Sequence, residues 1–108
     1  ESAKLAAALR AAEAAGFTGA EREDLYRCAH DIKGQAATLG FPLAGKVAGT
    51  LCLLLDHAGD RVPAELVRQH VQAVRAIVAE NARDEANPVA VRLAERLDDV
   101  TGEYIGSL

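Results

Sequence analysis

The chain has 108 residues, 50% of them hydrophobic and 26% charged, with a formal net charge of −4. This length makes one domain, residues 1–108, with a modest core, and the composition is globular rather than disordered. The acidic balance argues against a sequence-independent nucleic-acid binder, and no apolar run approaches the roughly 20 residues of a membrane span.

Alanine and leucine dominate and aromatics make up only 4%, a mix that favours helices over strands. Cys28 and Cys52 are too few for a disulfide framework and fit a reducing, cytoplasmic setting. No basic leader precedes an apolar segment, so no secretory signal is expected. The chain contains no Met, and Glu1 is not expected to be the native start.

Five helices are predicted. The first spans about Ser2 to Ala15, with Leu5, Leu9 and Ala12 on one side, and stops at Gly16. The second runs from about Ala20 to Thr38, opened by Glu21, Glu23 and Asp24, and ends at Gly40. Its apolar stripe is Leu25, Cys28, Ala29, Ile32, Ala36 and Leu39. The third opens at Pro42 and ends near His57 and Gly59. Leu43, Val47, Leu51 and Leu54 share one of its faces, with Ala44, Ala48 and Leu55 beside them.

The fourth helix runs from Pro63 to about Arg83, with a stripe of Leu66, Val67, Val71, Val74, Ile77 and Val78. The fifth follows Asn87 as N-cap and Pro88, continues to about Tyr104, and repeats Val89, Leu93, Leu97, Val100 and Tyr104. Short connections imply antiparallel neighbours. The expected fold is therefore all-α, an antiparallel up-and-down four-helix bundle with an additional C-terminal helix.

Chemistry concentrates on the second helix. At about 100° per residue, His30 lies roughly 140° from Leu25, off the apolar stripe and toward solvent. Tyr26, Arg27, Lys33, Gly34 and Ala37 share that surface. Gly34 interrupts a helix interior at a cost of about 1 kcal/mol relative to Ala, and removes a side chain one turn from the imidazole. Lys33, also one turn away, is suited to hydrogen-bonding a phosphoryl oxygen. An exposed imidazole is a competent nucleophile near neutral pH.

The string from His30 to Gly40, HDIKGQAATLG, resembles the pattern His-x-Ile/Leu-Lys-Gly-Ser/Gln-Ala/Ser-x-x-Leu/Val-Gly of histidine-containing phosphotransfer (HPt) domains. The resemblance is dense over about eleven residues, and the helical layout extends it along most of the chain. It implies a phosphocarrier in a two-component phosphorelay. His30 would be the phosphoacceptor, attacking through Nε2 an aspartyl phosphate of a receiver domain or accepting from a histidine kinase. Lys33 would contact the phosphoryl oxygens and Gly34 would permit close approach.

Tyr26, Arg27, Gln35 and Ala37 would meet the partner, although helical spacing turns Gln35 nearer the bundle than His30. The resemblance implies no ATP binding or autonomous kinase activity and no cofactor on this chain, with Mg²⁺ belonging to the partner receiver. A monomer without nucleic-acid or membrane contacts is expected. There is one departure from the family pattern. Many members carry Gln or Glu 22 residues after the histidine to hold its Nδ1; here that position is Cys52, beside Gly45 and Gly49. A thiol is a poor hydrogen-bond partner, and Thr50 and Lys46 point elsewhere by spacing.

Other residues have plainer readings. His70 falls within the fourth helix's stripe as a hydrogen-bonded core or bundle-end histidine, and His57 sits in a last helical turn, where cations suit the dipole. Gly45 and Gly49 let two helices approach. Leu53, off the main stripe, is assigned to a contact with the N-terminal helix or a partner. Arg61, Arg68, Arg75 and Arg92 read as solvated. Cys28 and His30 lie on different faces, and no Cys/His spacing resembles a zinc site.

Three rival readings stand beside the carrier. The dimerisation and phosphoacceptor domain of a histidine kinase typically continues Thr/Asn-Pro after the phosphoacceptor motif, where this chain has Gly34-Gln35. The phosphoacceptor domain of a chemotaxis kinase shares the bundle and can carry a fifth helix. A non-catalytic helical interaction module would leave His30 as incidental surface.

Overall fold

The computed structural model describes residues 2–80 and 87–108. Among the described residues the regular structure is entirely helical: α1 (Ser2–Ala14), α2 (Gly19–Gln35), α3 (Pro42–Ala58), α4 (Ala64–Ala79) and α5 (Pro88–Gly106). The expected end of the fourth helix near Arg83 lies outside the described residues. All five helices contribute to one hydrophobic cluster.

Glycines stand at three of the helix ends, Gly59 among them as the expected C-cap of α3 at φ +57°. At the end of α1, Phe17 N–H donates to the Ala12 carbonyl at 2.7 Å and Gly16 N–H to the Glu13 carbonyl at 3.1 Å, with Gly16 at φ +68°. After α2 the pattern recurs: Phe41 N–H donates to Ala36 and Gly40 N–H to Ala37, with Gly40 at φ +92°. Both are Schellman caps, in which a left-handed residue lets the chain turn back and satisfy the last carbonyls. In each, the residue after the glycine is a phenylalanine that packs on the core. At α5, Asn87 caps as expected, its side chain accepting from Ala90 N–H at 3.0 Å.

Helices α1 to α4 form a closed ring, each packed on its sequence neighbour and α1 closing against α4; α5 lies on α3 and α4. Pairings run antiparallel. Position 45 of α3 meets Ala36, position 49 meets Lys33, and Asp56 meets Tyr26, so numbering advances along α2 as it recedes along α3. Arg68 of α4 reaches Glu13 near the end of α1. Tyr104 at the end of α5 donates to the Arg61 carbonyl before α4. The expected bundle and its extra helix are thus observed.

Apolar periodicity locates most of the core. Leu5, Leu25, Val47, Leu51, Leu54, Val67 and Val74 are fully buried. Four details differ from the sequence reading, the first being Val78, which the predicted α4 stripe includes but which is exposed at the edge of that face. Leu39 is 56% exposed, because α2 ends at Gln35 and the chain is already turning through its cap. Helix α5 is rotated relative to its predicted stripe: Val89 is 74% exposed, while Ala90, Ala94, Leu97 and Thr101 are buried. Small residues let α5 settle between α3 and α4, and Thr101 is drawn inward by a bond to His70. Arg68 is not simply solvated; it bridges Glu13 and Glu65, each at 2.5 Å.

Candidate functional site

Helix α2 buries Leu25, Ala29 and Ile32 and turns His30 outward. The imidazole is exposed, and no group among the described residues hydrogen-bonds to it. Its nearest organised neighbour is the ring of Tyr26, one turn earlier. The two ring centroids are 6.3 Å apart and the planes 27° from parallel. Both rings line an open depression of about 470 Å³, together with Arg22, Glu23, Arg27, Leu55 and Asp56.

The other side of the imidazole is bare or cationic. Gly34, one turn on, is exposed, and a Cβ built there would meet nothing within 4 Å. No packing among the described residues therefore calls for glycine at this helical position, where it costs about 1 kcal/mol relative to Ala. Lys33 lays its methylenes 3.5–3.6 Å from the position a Cβ on Gly49 would occupy, so the bare helix surface of α3 supports its stem. Among the described residues the Lys33 ammonium has no carboxylate partner. Gly45 makes the closer approach, with Ala36 Cβ at 3.3 Å from a Cβ built there. Both glycines thus serve the close α2–α3 packing expected of them.

Arg27 is exposed and pairs with Asp24 at 3.2 Å within its own helix, a contact worth little in solvent. Ala37 is exposed beyond Gly34. Gln35 lies apart from this group. It is exposed but lines a separate groove with Ser2, Ile32, Leu39, Phe41 and Val78, away from the depression beside His30. The structure thus gathers Tyr26, Arg27, His30, Lys33, Gly34 and Ala37 along one side of α2 and sets Gln35 on another.

Cys52 is buried on α3, directed at the Tyr26 carbonyl at 4.0 Å, a long and weak thiol contact. Burial pushes its thiol up to about 11, with Lys33 opposing and Asp56 adding to the shift, so it stays protonated near neutral pH. Thr50 donates to the Lys46 carbonyl at 3.0 Å, inside its own helix. Leu53 is 44% exposed on α3.

The other histidines have structural partners. His70 is fully buried, with Nδ1 2.7 Å from the Leu66 carbonyl and Nε2 3.2 Å from the Thr101 hydroxyl. A carbonyl can only accept, so Nδ1 carries the proton and Nε2 accepts from Thr101. Burial lowers the pKa of this ring. The His57 Nδ1 donates to the Leu53 carbonyl at 3.0 Å.

Two residues of the depression were not singled out from the sequence. Arg22 donates to the carbonyls of Leu55 at 2.7 Å and Gly59 at 2.5 Å, clasping the end of α3 to the start of α2. Asp56 accepts from the Tyr26 hydroxyl at 3.2 Å. Nothing in the local sequence pattern names Arg22 or Asp56 for these roles, because their partners lie 30 or more residues away.

The arrangement offers an exposed imidazole with no hydrogen bond among the described residues, an ammonium one turn away and the bare Gly34 beside them. It can accept a small electrophilic group delivered by a partner, and among the described residues no cluster of three His, Cys, Asp or Glu side chains could hold a metal. No curated protein and no solved structure matches the chain. A family model for the Hpt domain matches residues 1–101 of the 108. The chain therefore belongs to the Hpt domain family, whose role is histidine phosphotransfer in two-component signalling.

Proposed function

We propose that this protein relays a phosphoryl group through His30, accepting it from the aspartyl phosphate of a receiver domain, or from a histidine kinase, and returning it to another receiver aspartate. The observation that carries the reading is the exposed His30, without a hydrogen bond among the described residues, beside Gly34, a helical glycine with open space where its side chain would be. An incoming protein surface is what gives that gap a purpose.

In the forward step Nε2 of His30 attacks phosphorus, forming the N–P bond as the acyl-phosphate P–O bond breaks. The carboxylate leaves on the donor, and the Nδ1 proton stays on the ring. The imidazolium so formed sits beside anionic phosphoryl oxygens, which the Lys33 ammonium is suited to contact. This chain's share of the work is to present the ring and the cation with little steric obstruction. The receiver's carboxylates and Mg²⁺ would supply the remaining charge stabilisation, with no cofactor on this chain.

Incubation with a receiver domain carrying labelled aspartyl phosphate tests the reading. Label that moves to this chain, is lost in acid and survives alkali is the expected phosphohistidine. A chain left unlabelled by a panel of phosphorylated receivers and kinases would instead favour a helical interaction module.

A further inference from the structure

The imidazole of His30 has no hydrogen bond among the described residues, yet a nucleophile on a helix surface must be held in one orientation to attack in line. The structure supplies one contact that can do this. The Tyr26 ring stacks on the imidazole with centroids 6.3 Å apart, inside the range of about 4.5 to 7 Å over which aromatic rings attract. Tyr26 is itself held at its far end, where its hydroxyl donates to Asp56 Oδ2 on α3 at 3.2 Å. That bond, the largest of several contributions, raises the Tyr26 pKa, so the phenol remains a donor. Beneath it, the Cys52 thiol meets the Tyr26 backbone carbonyl.

We infer that Tyr26, anchored across the helix pair by Asp56, is the positioning residue that sets the plane of the His30 ring for phosphoryl transfer. The inference rests on His30 being the phosphoacceptor. A single side chain on α2 would be free to swing about its own rotamers; tying its hydroxyl to α3 removes that freedom. The stack then leaves the opposite ring face and the Gly34 side open to a partner. Asp56 acts only through Tyr26. Its carboxylate accepts from the Tyr26 hydroxyl, a role an amide oxygen can also fill.

Two measurements on the whole protein test this. In the free protein, the His30 ring proton shifts and side-chain couplings report the stack without any partner. In Tyr26→Leu these should collapse toward values of a freely rotating histidine; in Asp56→Asn they should stay near wild type, and in Asp56→Ala they should fall between. In single-turnover transfer from a phosphorylated receiver, Tyr26→Leu should lower the saturating rate about tenfold, in keeping with the sensitivity of transfer to small misplacements. The half-saturating receiver concentration should change by no more than about twofold, and Asp56→Asn should transfer as wild type.

Unchanged His30 ring signals in Tyr26→Leu would overturn the inference, and so would an unchanged saturating rate. A raised half-saturating concentration at constant rate would also overturn it, by making Tyr26 a docking residue. Failure of the underlying reading is visible separately, as wild-type protein that takes no label while the ring signals still respond to Tyr26.

Discussion

Gly34 and Lys33 are where the needs of the fold and of the proposed transfer can be told apart. Because a Cβ at Gly34 meets nothing, Gly34→Ala should raise stability by up to about 1 kcal/mol, read as a higher urea midpoint. Gly34→Gln should also fold, yet slow transfer, since its side chain would stand in the partner's path. Wild-type transfer from that variant would remove the steric role. Lys33→Ala should lower the transfer rate or shorten the phosphohistidine lifetime while leaving the helical signal in place. At this scale the sequence was informative about His30, Lys33 and Gly34, because their exposure follows from spacing along one helix. Gln35 was less legible: a residue near the boundary of two faces is assigned by the neighbouring helices, and here it faces the groove with Phe41 and Val78.

Among the elements, the α2–α3 pair depends on contacts far apart in sequence. Arg22 bonds to carbonyls 33 and 37 residues away, and these groups at the end of α3 have no further turn of helix to satisfy them. Arg22→Ala should cost about 1 to 3 kcal/mol in denaturant unfolding, and Arg22→Lys should recover only part of it, since one ammonium does not reproduce the guanidinium fork. Such long-range bonds leave no periodic trace, which is why Arg22 and Asp56 were missed while the caps at Gly16 and Gly40 were legible. The rotation of α5 was hidden for a related reason. Hydrophobic spacing favours Val89 and Leu93, whereas the groove on α3 and α4 takes Ala90, Ala94 and the hydroxyl of Thr101.

The α4–α5 junction should carry a pH dependence. His70 is buried as the neutral ring and its pKa is lowered, first by desolvation, with the Leu66 bond opposing. The unfolded chain therefore binds a proton that the folded chain resists as the pH falls through the ordinary value of about 6.5. Stability should be independent of this group above that value and decline below it, until the folded ring itself protonates. Urea midpoints between pH 8 and pH 5 should show this loss, and His70→Gln should flatten the profile. An equal acid loss in both proteins would assign the effect elsewhere.

Over the whole molecule, the four-helix ring holds α2 firmly while leaving one of its sides uncovered, and α5 packs on α3 and α4 without touching α2. Under the proposed function, recognition falls on the surface around His30, where small residues (Gly34, Ala37) adjoin the cations Arg27 and Lys33. A receiver with an acidic, Mg²⁺-binding pocket should form a one-to-one, transient complex that weakens with salt. Backbone shift mapping should find perturbations centred on His30, with Tyr26 and the exposed Leu39 toward the edges. Changes confined to Arg92 through Asp99 of α5 would contradict this docking.

The central claim is that His30 carries the phosphoryl group, and its most direct test is a comparison of wild type with His30→Gln. The side chain is exposed and without a hydrogen-bond partner among the described residues, so the variant should keep its helicity and melt within the small range of a surface change. Given a phosphorylated receiver that labels the wild type, His30→Gln should take no acid-labile label at all. Labelling of the variant at the wild-type level would contradict the account.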